Sequence, residues 1–294
     1  MNMKKIYFCL TAILFITAGC SNDELANNGA KYPVAQKNTI TTINATTEDA
    51  NTRTTLVDGH KVVWHEDDMI NVLSNESDYD EWTNYGNYFI NSGVGTTSAT
   101  FSGEEISGNT FYAFSPGSIE EWDVAKEQFN LYWNYSAVFG DEPEENSHVI
   151  PMAAKSSDNN MQFKQLGGLL HFQIKGSAQL TGVYLRGNNN ERFPDYITID
   201  LSSEEPALIF NLEESYQDEI YCEPENYVQM LSKTEPLDVY ILLPAGMAFS
   251  KGVTLVVKTY DIDNNSWPIF EKSTNQPITI SRAKVTHFTA FETE

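Results

Sequence analysis

Apolar and polar residues alternate with a period of two along most of the chain after residue 60. Lys61-Val62-Val63-Trp64, following the turn signal Asp58-Gly59, and Met69-Ile70-Asn71-Val72-Leu73 read as strands. A segment rich in Asp, Glu and Asn, Ser74 to Gly86, separates them from further strands at Tyr88-Phe89-Ile90, Ala99-Thr100-Phe101 and Thr110 to Phe114. Ile119 to Phe129 fits a helix or a loop, and the pattern does not choose between them. Asp141 to Glu145 reads as a solvated acidic connection, and Ile150 to Ala154 as another strand. In the second half, Leu170, Phe172 and Ile174 alternate with His171, Gln173 and Lys175. Val183/Leu185, Tyr196–Leu201, Ala207–Leu212 and Val253/Leu255/Val257 follow as strands, with the nearly all-apolar Leu237–Leu243 predicted to be central. Ile278–Ile280 and Val285–Phe291 close the chain. Short strands at roughly ten-residue spacing, with turns between, predict an all-β protein built of antiparallel β-sandwiches. No fixed-period repeat supports a solenoid or propeller.

The first 52 residues have a different texture. Lys4 and Lys5 precede an apolar run, Ile6 to Ile16, that is shorter than the roughly 20 residues a membrane-spanning helix needs. Thr17-Ala18-Gly19-Cys20 then resembles the lipobox of bacterial lipoproteins, which implies cleavage after Gly19 and acylation of Cys20, with the fatty chains, palmitate among them, holding the chain at a membrane. Ser21-Asn22-Asp23-Glu24 resembles the acidic signal that sends Bacteroidetes lipoproteins to the outer face of the outer membrane. Residues 25 to 52 are rich in Asn, Thr and Ala; Thr39 to Ala45 has the β-propensity for one strand, a removable strand or a tether. The expected organisation is a signal peptide over 1–19, a leader arm over 20–53, an N-terminal sandwich over 54–157 and a C-terminal sandwich over 158–294, the boundary placed at the polar run Ser156 to Asn160.

At 294 residues with a net charge of −23, the chain is repelled by phosphate backbones, so nucleic acid is not an expected partner. Of three cysteines, Cys9 leaves with the signal peptide and Cys20 is lipidated, which leaves Cys222 without an internal partner. Cys222 reads as a small semi-buried side chain and not as a nucleophile, since acidic neighbours disfavour a thiolate.

Motifs for catalysis are weak. His65-Glu66-Asp67-Asp68 starts like a zinc-protease motif but lacks the second histidine. Asp261 to Asn265 starts like a calcium loop, but Ser266 stands where glycine is required and Lys272 where glutamate is required, so a turn is expected. No catalytic residue, metal ligand or cofactor is assigned, and an enzyme is not expected.

In order along the mature chain, Asn51-Thr52-Arg53-Thr54-Thr55-Leu56, Val62-Val63-Trp64 with Glu66-Asp67-Asp68, Ile70-Asn71-Val72, Ala99 to Gly103, Phe111 to Pro116, Phe163 to Phe172 and Val239 to Pro244 resemble the fimbrillin family of Bacteroidetes, whose members build type V pili. The resemblance implies two transthyretin-like sandwiches and a lipidated precursor that reaches the outer membrane. It also implies cleavage between Arg53 and Thr54, and assembly by strand exchange with other pilin subunits into a fimbria that supports adhesion to a host or bacterial surface ligand. The C-terminal stretch carrying Ile280, Val285, Phe288 and Phe291 is the candidate donor strand; an ordinary last strand fits equally well. The resemblance leaves stalk, tip and anchor roles open. The rival reading is a surface glycan-binding lipoprotein, with Trp82, Tyr85 and Tyr88, or Trp122, Tyr132 and Trp133, as a stacking platform.

Overall fold

The computed structural model describes residues 37–48, 62–116, 119–140, 150–213, 215–224 and 229–293. Signal peptide, Gly19, Cys20, Arg53 and Thr54 lie outside these residues. The described residues form strands and turns without a helix. In chain order the first strands are β1 (Asn38–Thr47), β2 (Met69–Asp78), β3 (Thr83–Ser92), β4 (Ser98–Gly108), β5 (Phe111–Ser115), β6 (Ile119–Asp123), β7 (Gln128–Tyr132), β8 (Ala137–Phe139), β9 (Met152–Ser156) and β10 (Asn160–Gln165). They continue with β11 (Gly167–Lys175), β12 (Gln179–Gly187), β13 (Phe193–Pro194), β14 (Tyr196–Asp200), β15 (Ala207–Phe210), β16 (Tyr216–Gln217), β17 (Glu219–Cys222) and β18 (Gln229–Met230). The last are β19 (Leu237–Pro244), β20 (Ala248–Phe249), β21 (Val253–Tyr260), β22 (Ile269–Ser273), β23 (Ile278–Thr279), β24 (Val285–His287) and β25 (Phe291–Glu292).

The first sheet closes on itself in the order β1-β10-β9-β5-β2-β3-β4, β4 pairing back to β1. Inward-facing Ile43, Ile70, Val72, Tyr88, Phe101, Phe111, Ala113 and Phe163 fill it, each essentially without solvent exposure. Closure removes free edges from this sheet. The second half is built on two sheets, β24-β11-β19-β8, with β25 also on β11, and β17-β12-β21-β22, with β18 also on β12. Leu170 and Ile174, Val239, Ile241 and Leu243, Leu180, Val183 and Leu185, and Val253, Leu255 and Val257 have no exposure and follow the period of two except across the ladder irregularity between Leu180 and Gly182, the signature of a sandwich core. Leu237–Leu243 lies in the interior strand β19, as its apolar run predicted.

A fourth sheet, β15-β14-β7-β6, draws strands from both halves of the sequence: Tyr196↔Tyr132 through Asp200↔Gln128 pair β14 with β7. β8, too, comes from the first half and pairs with β19. The boundary expected at residues 157 and 158 falls in the tight turn between β9 and β10, which pair with each other in the closed sheet. Asp158 builds that turn, its carboxylate accepting from the Asn160 amide at 2.7 Å. Sheet membership changes at Leu166. Of Lys61 to Trp64, expected as a strand, the described residues 62–64 form no ladder; Trp64 instead bonds the 93–97 turn through Trp64 N→Thr96 O (2.9 Å) and Gly95 N→Trp64 O (2.7 Å) while its ring plugs the core against Phe101 and Phe163.

Candidate functional site

The residues of the leader arm that the structure describes are a structural part of the closed sheet. β1 lies between β4 and β10, antiparallel to β4 (Ile40↔Ile106, Ile43↔Phe101, Ala45↔Ala99) and parallel to β10 (Asn44↔Asn160, Ala45↔Met161, Thr47↔Phe163). Its inward residues are Ile40, Ile43, Ala45 and Thr47, all buried, while Asn38, Thr39, Thr41, Thr42, Asn44 and Thr46 face out. An irregularity in the ladder between Ile40 and Thr42 lets two residues three apart share the inner face.

Polar contacts fix both ends. The Tyr88 hydroxyl donates to the carbonyls of Ile40 (3.1 Å) or Glu104 (2.6 Å), and burial drives its pKa far above that of an ordinary phenol. Lys37 pairs with Glu76 at 2.6 Å. Thr47 Oγ1 donates to the Val62 carbonyl at 3.0 Å. Beyond β1, the Glu48 carboxylate accepts from the Gln165 amide (3.1 Å) and from Arg282, whose other nitrogen binds Glu205 at 2.5 Å; Glu205 in turn pairs with Lys164 at 2.8 Å. Burial raises the Glu48 pKa against the pull of the Arg282 guanidinium. This chain of charges ties the first strand to the approach of the last ones.

The C-terminal stretch docks on the chain's own second half. β23 pairs with β20, and β24 and β25 both run parallel to β11 (His171↔His287, Ile174↔Phe291). Ile280 and Phe291 are buried, Val285 and Phe288 partly so, and Phe288 stacks on Phe172 with centroids 4.4 Å apart. His171 contacts His287 through their Nδ1 atoms at 2.8 Å, and its Nε2 meets Asp238 at 2.7 Å while its ring stacks on Tyr240. β1 on β10, and β24 and β25 on β11, are the parallel pairings among the described residues; every other ladder is antiparallel. Hairpins cannot make parallel pairs, and here the two ends of the described chain make them.

The other sequence-derived candidates are dispersed. Tyr88 and Trp133 are core residues, and Tyr132 is half-exposed against Tyr196. Trp82, Tyr85 and Trp122 do meet, joined by Tyr79. Asp261 closes a turn, accepting from the amides of Asp263 (3.0 Å) and Asn264 (3.2 Å). Cys222 is buried, its thiol pushed up to about 12 by desolvation. No group of three or more His, Cys, Asp or Glu residues suited to a metal ion occurs among the described residues.

No family model matches the chain, and no curated protein matches it. Among solved structures, it is similar to a candidate cell adhesion protein from Bacteroides fragilis, at 10% identity and a TM-score of 0.44, over 85% of this chain and 92% of that one.

Proposed function

We propose that the chain is a non-enzymatic, cell-surface adhesion subunit that polymerises by strand exchange at the β1 position. In this reading the precursor is lipidated at Cys20 and carried to the outer membrane, and cleavage after Arg53 separates β1 from the fold. A strand from another subunit then occupies the gap between β4 and β10. The observation that carries the reading is the placement of β1: a segment upstream of Arg53 supplies buried residues and both ladders to a sheet otherwise made by downstream strands. Loss of such a strand uncovers apolar pockets and two rows of unpaired backbone groups, a strong drive for β-augmentation. The fimbrillin resemblance supports the same order of events. The C-terminal donor candidate repeats the three-residue step of Ile40 and Ile43, from Val285 to Phe288 and on to Phe291.

Intact mass and N-terminal sequence of the protein taken from the cell surface test the proposal, together with gels run without boiling. A chain starting at Thr54 that runs as a ladder is the expected result. A chain starting at acylated Cys20 that runs as a monomer overturns it.

A further inference from the structure

The outer face of β3 carries two aromatic side chains, Tyr85 packed partly against the core and Phe89 left exposed. Tyr85, Asn87 and Phe89 project from alternate positions of the strand, away from buried Gly86 and Tyr88. Phe89 is 59% exposed, and at the head of the row Trp82 is 54% exposed. Trp82 is also held at φ 52°, a left-handed conformation that a bulky residue adopts only with backbone strain. Exposure of an indole and strain of its backbone are both unfavourable, and both are met at one residue. The ring is fixed from behind. Trp122 lies 5.1 Å from Trp82, edge to face, and stacks on Tyr85 at 5.3 Å, while Tyr79 and Tyr85 each lie 5.7 Å from Trp82. The result is a preorganised indole surface.

Between Tyr85 and Phe89 runs a shallow groove of about 460 Å³ lined by Tyr85, Gly86, Asn87, Phe89, Gly103 and Glu104. Gly103 pairs with Tyr88 and faces inward with it; a Cβ there would sit 2.4 Å from the Tyr88 ring and 2.5 Å from the Asn87 carbonyl, so glycine lets the buried ring lie flat beneath this part of the sheet. The two rings stand four strand residues apart, about 13 Å along the strand.

We propose that this groove, flanked by the Trp82 ring that packs on Tyr85, binds a neutral, linear oligosaccharide. β3 is paired on both sides, by β2 and β4, so its backbone cannot accept an added strand and recognition must come from side chains. The side chains present are ring faces, whose negative quadrupole suits the C–H faces of sugars, with the Asn87 amide and the Glu104 carboxylate between them to bond hydroxyls. The lining holds a carboxylate and no cation, on a chain of net charge −23, which disfavours sulfated, sialylated or uronic glycans. The site would exist whether or not the subunit polymerises, so this inference does not rest on strand exchange.

The test is titration of the full chain with cellohexaose, xylohexaose and mannohexaose, and with oligogalacturonate as the anionic probe, read by calorimetry and tryptophan fluorescence. At least one neutral probe is expected to bind, and oligogalacturonate is not. Trp82→Ala and Phe89→Ala should each weaken binding about tenfold, the factor that one ring contact of roughly 1–1.5 kcal/mol represents. Phe89→Ala, at an unstrained position, carries the test if Trp82→Ala lowers the unfolding midpoint. The inference is overturned if no neutral probe binds, if the double variant binds as well as the parent, or if oligogalacturonate binds equally. It is also overturned if the substitutions change self-association on sedimentation and leave sugar binding untouched, which would make the face a contact between copies.

Discussion

Ile43→Ala should be among the most damaging single changes in the N-terminal arm. Ile43 has no exposure, faces Phe101 across the ladder, and sits in the middle of a strand held on both sides. Truncation removes three carbons, at about 0.8 kcal/mol each by transfer, and leaves a cavity, so the expected loss is about 2–5 kcal/mol. Thr42→Ala, one residue away on the solvent face, should cost less than about 0.5 kcal/mol. Urea unfolding of the two variants, with m values compared to exclude a change in the unfolded state, measures the difference. The same contrast should hold in trans. A peptide of residues 37–48 added to a chain beginning at Thr54 should bind, and Ile43→Ala in the peptide should weaken it by at least about 30-fold, the equivalent of 2 kcal/mol. Near-equal costs for Ile43→Ala and Thr42→Ala would refute the packing argument and, with it, the account of how a replacement strand would be held.

Three further outcomes follow from other parts of the molecule. Since burial raises the folded-state pKa of Glu48, its contribution to stability is full below its ordinary value of 4.5 and is lost as pH rises through the higher folded value. Glu48→Gln should therefore flatten the decline in unfolding free energy between mild acid and neutral pH, and Arg282→Met should move that decline to higher pH; parallel profiles for parent and Glu48→Gln would count against it. The Cys222 thiol, pushed up to about 12, should hold about a thousandfold less thiolate than an ordinary cysteine and resist an aromatic disulfide reagent at neutral pH until urea unfolds the chain; rapid labelling of the native protein would contradict this. Gly168→Ala places a Cβ 2.3 Å from the Ser281 carbonyl and 3.0 Å from that of Lys284, so the 281–284 stretch must shift; limited trypsin digestion should cut after Arg282 and Lys284 several times faster, and an unchanged rate would show that the backbone adapts.

Strands with clear alternation were legible in the sequence: β11 and β21 lie where the period of two puts them, and β19 where its apolar run does. Where a ladder irregularity intervenes, the period of two breaks down locally. Ile119 and Trp122 are three apart, which suits a helix as well as a strand, and both are buried because β6 is irregular between Ile119 and Glu121. Ile40 and Ile43 show the same spacing for the same reason, yet there the β-propensity of Thr39 to Ala45 still marked the strand. Ser156 to Asn160 read as a domain boundary because a tight turn and a boundary share a polar composition. Of the candidate site, Trp82, Tyr85 and Trp122 were visible as aromatic residues, but Tyr88 and Trp133 were indistinguishable from them until burial was known. The role of Asn87, Phe89 and Glu104 depends on two strands lying side by side, which a single sequence does not specify.

The parallel pairing of β1 with β10 also fixes a schedule for the newly made chain. Asn44 and Asn160 are 116 positions apart, so the N-terminal strand emerges first and its second neighbour is synthesised last of the ring. Contacts this distant close slowly, because loop entropy must be overcome before any ladder bond forms. Closure is therefore the final step in building the first sheet. Until then the nascent protein carries open edges at β1 and β10, a window in which it is open to aggregation.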